Sequence, residues 1–185
     1  MSAAALPRKR FTREEVDRLE ETGLFNGQRF ELIDGDLIDK MGQHPPHANA
    51  IRMLMELLAG LFGARRVMVQ LPVEVGPDDS RYSLPEPDLA VLADAKANYA
   101  TRHPAAKELT LLVEVSDTTL RYDSTRKRDL YARAVVREYW VYDLKGKKVL
   151  VHQKLEAGKY TVIKTMPAKD LEEWARHRFK APSHD

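Results

Sequence analysis

Residues 111–119, LLVEVSDTT, decide how this chain is read. Leu111, Leu112, Val113 and Val115 make an apolar run of the kind found in a strand covered on both faces, and Glu114 sits inside it. A carboxylate so placed costs several kcal/mol unless it is neutralised or paired. The sequence must therefore supply Glu114 with a partner.

Upstream, PEPDLAVL (85–92) puts Asp88 at the head of another short apolar strand. If the two strands lie side by side, both carboxylates project at one spot. Converging carboxylates repel unless a cation sits between them, and hard cations such as Mg²⁺ take one or two carboxylates together with waters and substrate phosphate. Downstream, YDSTRKRDLYARAVV (122–136) reads as a basic helix. On a helical wheel Asp123, Leu130, Tyr131 and Ala134 fall within about 60° of Lys127, at 100° per residue. Lys127 thus faces the sheet and needs an anion, while Arg126, Arg128 and Arg133 point elsewhere.

The rest of the chain frames these three segments. TREEVDRLEE (12–21) carries a capping box, Thr12 with Glu15, and predicts a short helix after a frayed arm over residues 1–10. RFELIDGDLIDKM (29–41) predicts a hairpin turning at Asp34-Gly35. HPPHANAIRMLMELLAGLF (44–62) predicts a helix with Ile51, Leu54, Leu58 and Leu61 on its apolar face and Gly63 at its end. VMVQLPVEV (67–75) alternates like a strand, and 76–86 is dense in turn residues. Strands are predicted over REYWVYDL, KKVLVHQ and KYTVIKT, then a last helix over AKDLEEWARHRF (168–179). The class is α/β (α+β): one domain over residues 11–180, with a central mixed sheet flanked by helices.

Composition narrows the function classes. With 185 residues, 43% hydrophobic and 31% charged, the chain is an ordinary globular protein, and one sizeable core is expected. It has no cysteine, which excludes disulfides and thiolate metal sites. A net charge of +2 means that attraction to nucleic acid must come from local clusters. No apolar run is long enough to span a membrane, and the N-terminus lacks a secretory pattern, so a cytoplasmic protein is expected.

The motifs EPD, VEV and a following lysine resemble the PD-(D/E)xK nuclease superfamily. The wider run of FELIDGDLI, PPHANAIRML, PEPDLAVL and LLVEVSDTTLRYDSTRKRDLYARAVVREYWVYDL resembles the bacterial Uma-type putative restriction endonuclease family, over roughly residues 11–165. The resemblance implies a restriction endonuclease-like fold and a metal-dependent nuclease. It implies Asp88, Glu114 and the Val115 carbonyl as ligands of Mg²⁺ or Mn²⁺, Lys127 as the catalytic lysine moved from strand to helix, and Glu31 as the glutamate of the first strand. Glu31 would complete the metal shell or act as a base through water, and the product would carry a 5′-phosphate. The chain departs from the pattern at Ser116, where the superfamily keeps its lysine. It also reads SDTT where SPST is frequent, and AVVREYW where a glycine is common.

Arg121, Arg126, Arg128 and Arg133, with Arg137 nearby, are expected to contact the nucleic-acid backbone, giving salt-sensitive affinity without base reading. Plainer readings stand beside these. Glu31 also reads as a solvated hairpin residue or a salt-bridge partner of an arginine, and Lys127 as a snorkelling lysine. His44 and His47, around two prolines, read as helix-leading residues more than as metal ligands. Two rival functions follow: a nucleic-acid-binding protein that keeps the fold without cutting, and a dimeric assembly module. DNA is the expected partner, and a homodimer is expected by analogy alone.

Overall fold

Thr12 accepts a hydrogen bond from Glu15 N while the Glu15 carboxylate reaches back to Thr12 N. This reciprocal cap starts helix α1 (Arg13–Glu21). The computed structural model describes residues 8–40 and 44–179. Most of the expected N-terminal arm, residues 1–7, lies outside the described residues. Its last part is held: Lys9 pairs with Glu15 at 2.6 Å and Arg10 Nε donates to Asp34 O at 2.9 Å.

The hairpin forms as expected, from β1 (Phe30–Ile33) and β2 (Asp36–Asp39). Asp34 (φ 50°) and Gly35 (φ 86°) are both left-handed, which the tight turn demands. Helix α2 (Pro45–Phe62) buries Ala50, Ile51, Leu54 and Leu58, and Gly63 at φ 88° closes it. The strand expected over 67–75 is much shorter: β3 is Val67–Val69. Gln70 turns left-handed at φ 49° and Pro72 has no N–H to donate, so the chain leaves the ladder there. The following turn-rich segment contains one helical turn, α3 (Pro77–Ser80).

Six strands form the main sheet in the order β3-β4-β5-β6-β7-β8. They include β4 (Leu89–Leu92), β5 (Leu109–Ser116), β6 (Tyr139–Asp143), β7 (Lys148–Glu156) and β8 (Lys159–Pro167). The β5–β6 pair is parallel and every other pairing is antiparallel, so the sheet is mixed. The parallel pair requires a crossover, and the basic helical segment supplies it. That segment runs through α4 (Leu120–Tyr122), a π-helical turn over Asp123–Lys127, and α5 (Arg128–Arg133). Helix α6 (Leu171–Arg178) ends the described chain.

Strand parity sorts the core. Leu111, Val113 and Val115 of β5 pack with Leu89, Val91, Trp140, α2 and α6 on one face. Leu112 packs with Ala90, Leu130, Tyr131, Tyr139 and Ile33 of the hairpin on the other. The even positions of β5, Leu112, Glu114 and Ser116, therefore share the face crossed by the hairpin and the basic helix.

Candidate active site

The β4–β5 register sets Leu89 against Val113. One step further the same antiparallel geometry sets Asp88 beside Glu114, and Asp88 Oδ2 accepts Val115 N at 2.8 Å. Both acids lie on the hairpin-side face of the sheet, and both are buried.

Lys127 reaches them from the crossover. Its ammonium lies 2.9 Å from Glu114 Oε1 and 2.7 Å from Glu31 Oε1, and it is only 4% exposed. Tyr131 also donates to Glu114 Oε1, at 2.8 Å. Glu114 is thus met by an amine and a phenol of this chain. Glu31 comes from β1 and accepts Glu86 N through its second oxygen at 3.2 Å. The plainer reading of Glu31 as a solvated hairpin residue does not hold, since it is 5% exposed.

Lys127 lies in a π-turn. Arg128 N bonds to Asp123 O, five residues back, and Asp123 and Lys127 are both buried within that turn. Hydroxyls compensate the disturbed ladder: Ser124 Oγ donates to Leu120 O at 2.6 Å and Thr125 Oγ1 to Arg121 O at 2.5 Å. Asp123 Oδ2 accepts from Ser116 and Thr119, both at 2.6 Å. Ser116 and Thr119 of the SDTT stretch thus anchor the helix that carries Lys127.

The charges of this cluster do not balance locally. Burial disfavours the Lys127 ammonium, but Glu114 and Glu31 outweigh it and hold its pKa well above the ordinary lysine value. One ammonium faces several carboxylates. Burial, only partly offset by Lys127, pushes Glu114 up to about 8. The two glutamates therefore hold Lys127 charged, while burial works against charge on Glu114.

His47, on the first turn of α2, approaches from the opposite side. Its Nε2 donates to the Val115 carbonyl at 2.9 Å and lies 3.4 Å from Asp88 Oδ2. The carbonyl acceptor requires that Nε2 carry a hydrogen. The hydrogen bond with Asp88 raises the imidazole pKa despite partial burial. Burial acts to raise Asp88, but the bonds from His47 and Val115 N prevail and hold it below its ordinary value. In the sequence His47 reads as a helix-leading residue more than as a metal ligand. What could have signalled more is its position on α2, whose buried face lies against the β4 and β5 strands.

These groups line one cleft of about 300 Å³, walled by Glu31, Asp88, Glu114, Lys127 and His47, with Arg29 and Lys40 of the hairpin's open end also on its surface. Among the described residues, two buried polar atoms of the cleft have no partner: His47 Nδ1 and Tyr122 Oη. No group of three His, Cys, Asp or Glu side chains suited to a metal occurs among the described residues. The helix arginines are not part of the wall. Arg126 reaches Asp34 and Asp36, Arg133 reaches Asp79 and Asp34, and Arg128 reaches Asp129. Arg121 and Arg137 are exposed.

The family model of Uma2, described as a putative restriction endonuclease, matches residues 13–176. No curated protein matches the chain. Among solved structures, a putative nuclease belonging to DUF820 from Anabaena variabilis ATCC 29413 superposes with a TM-score of 0.61 at 14% identity, over 80% of this chain and 92% of that one. That likeness establishes the fold: a mixed sheet flanked by helices, as in that protein. No helix among the described residues is long and apolar enough to cross a membrane.

Proposed function

This chain belongs to the Uma2 family of putative restriction endonucleases, and from that premise we propose that it hydrolyses phosphodiester bonds in DNA with a divalent cation. One observation carries the reading: Asp88, the Val115 carbonyl, Glu114 and Lys127 lie on one cleft although they come from two strands and a crossover helix.

The residues suit a hard cation. Asp88 Oδ2 and Val115 O already converge on one N–H group, at His47 Nε2, so that point attracts positive charge. Both hydrogen bonds to Glu114 fall on Oε1, which leaves its second oxygen without one among the described residues. Asp88, the Val115 carbonyl and Glu114 would hold Mg²⁺ or Mn²⁺, and the ion would supply Lewis acidity and a polarised water. Lys127 keeps its proton and offers an ammonium to the charge that grows on phosphorus oxygens in the transition state. Glu31 holds Lys127 from the hairpin side, and Tyr131 restrains the Glu114 carboxylate.

The test is nicking of supercoiled plasmid by the full chain with Mg²⁺, with Mn²⁺ and with EDTA. Cleavage is expected with metal alone, and Asp88→Asn should lower it at least about a hundredfold while the protein stays folded. Metal-independent behaviour, or full activity in Asp88→Asn, refutes the reading. A second reading, a nucleic-acid-binding protein that keeps the fold without cutting, is favoured by Glu114 Oε1 being already engaged by Lys127 and Tyr131. DNA binding with no metal response and no nicking would establish it.

A further inference from the structure

The geometry points to Arg29 and Lys40 as the clamp that receives the phosphodiester backbone of the substrate at the mouth of the cleft, with the Glu86 carboxylate occupying that anion position in the free protein. The inference rests on the nuclease reading and places its substrate contacts on the hairpin instead of the basic helix.

Arg29 directly precedes β1 and Lys40 directly follows β2, and Lys40 N donates to Arg29 O at 2.9 Å. The hairpin ladder therefore extends one step beyond its strands and sets these two side chains together at its open end. Both converge on Glu86 Oε1: the Arg29 guanidinium is in direct contact, and Lys40 Nζ is 3.4 Å away. Lys40 Nζ also donates to Glu86 O at 2.5 Å.

The Glu86 backbone has little freedom to move, so only its side chain can yield the position to a phosphate. It lies between Pro85 and Pro87, whose rings fix φ on either side, and its N–H is tied to Glu31. Its carboxylate presents to the two cations what a phosphodiester would present: two oxygens sharing one negative charge. Two cations on one carboxylate leave this trio with a net positive charge. Arg29 and Lys40 line the same cleft as Asp88 and Glu114, which puts the clamp on the side of the acids. The helix arginines differ in where they lie. Arg126 and Arg133 are engaged by Asp34, Asp36 and Asp79, and neither lines the cleft.

The experiment measures anisotropy of a fluorescein-labelled 20-base-pair DNA duplex with the full chain in EDTA, across a sodium chloride series. Lys40→Ala and Arg29→Ala should each flatten the log Kd against log salt slope by about 0.9, the loss of one phosphate contact. Arg126→Ala and Arg133→Ala should leave the slope as in wild type. Glu86→Gln should tighten binding about two- to fivefold by freeing the cations. A structural salt bridge without a substrate role predicts unchanged or weaker binding there. If an alanine variant does not fold, Lys40→Gln or Arg29→Gln gives the same readout. Unchanged slopes in the hairpin variants, unchanged or weaker binding in Glu86→Gln, or no binding by wild type overturns the clamp. Predicted slopes on DNA that is never nicked would leave the clamp standing and remove the nuclease reading. Metal-dependent nicking with unmoved slopes would do the reverse.

Discussion

Lys127→Met tests the electrostatics of the cleft most directly. Methionine keeps the length and much of the volume of the side chain, but it removes the ammonium that lies 2.7 Å from Glu31 and 2.9 Å from Glu114. Both carboxylates are buried, so water does not replace the lost partner. Removing one partner of a buried pair costs about 3–5 kcal/mol. At a urea m-value of about 2 kcal/mol/M, that lowers the unfolding midpoint by roughly 1.5–2.5 M.

The pH dependence follows from the same charges. In wild type, the raised folded-state pKa of Lys127 contributes stability that is fully present below the ordinary lysine pKa and is lost only as pH rises through the folded value. Between pH 5 and 7 this contribution is constant. In the variant the native state must bind about one more proton on its carboxylates than wild type does, while the unfolded chain does not. The deficit should therefore shrink by about 1.4 kcal/mol per pH unit on going down from pH 7, or roughly 2.7 kcal/mol by pH 5. Adding Glu31→Gln should recover much of the loss at pH 7, because it removes one uncompensated charge. Urea unfolding of wild type and both variants at pH 5, 6 and 7 measures all of this. A loss under 1 kcal/mol at pH 7, or a deficit that does not vary with pH, would refute the account.

Other outcomes follow from single features. Val135 is left-handed at φ 65° and 56% exposed, so Val135→Gly should stabilise the protein by about 1 kcal/mol and raise Tm by about 2–4 °C in a thermal melt. The pKa of His47 is raised by Asp88, so below that pKa its imidazolium occupies the point between Asp88 and Val115 O. Metal affinity should therefore rise with pH through that value, with proton release measurable by calorimetry in buffers of different ionisation enthalpy. Metal at a hundred times its Kd should add about 2.7 kcal/mol of stability, and Asp88→Asn should abolish the corresponding Tm shift.

Local patterning determined much of this molecule. Period-2 alternation in 109–116 put Glu114 on the face opposite Val113 and Val115, and the wheel of 122–136 turned Lys127 inward, because both periodicities are properties of the backbone alone. The capping box, the Asp34-Gly35 turn and the Gly63 stop were legible for the same reason. Local patterns that competed with long-range constraints were read less well. Residues 70–75 alternate like a strand, yet Gln70 and Pro72 carry the chain off the sheet edge. The helix expected to reach Val136 ends at Arg133, where Val135 takes the left-handed position that glycine favours.

What only the tertiary structure decided is which charges meet. Arg126, Arg133, Arg29 and Lys40 look alike in sequence as basic residues near turns. Whether a cation is engaged by an aspartate many residues away or faces the cleft depends on how the hairpin docks on the sheet. His47 likewise meets Val115 O only because α2 crosses β5. Electrostatic pairing acts over a few ångströms in space, and no spacing along the chain encodes it.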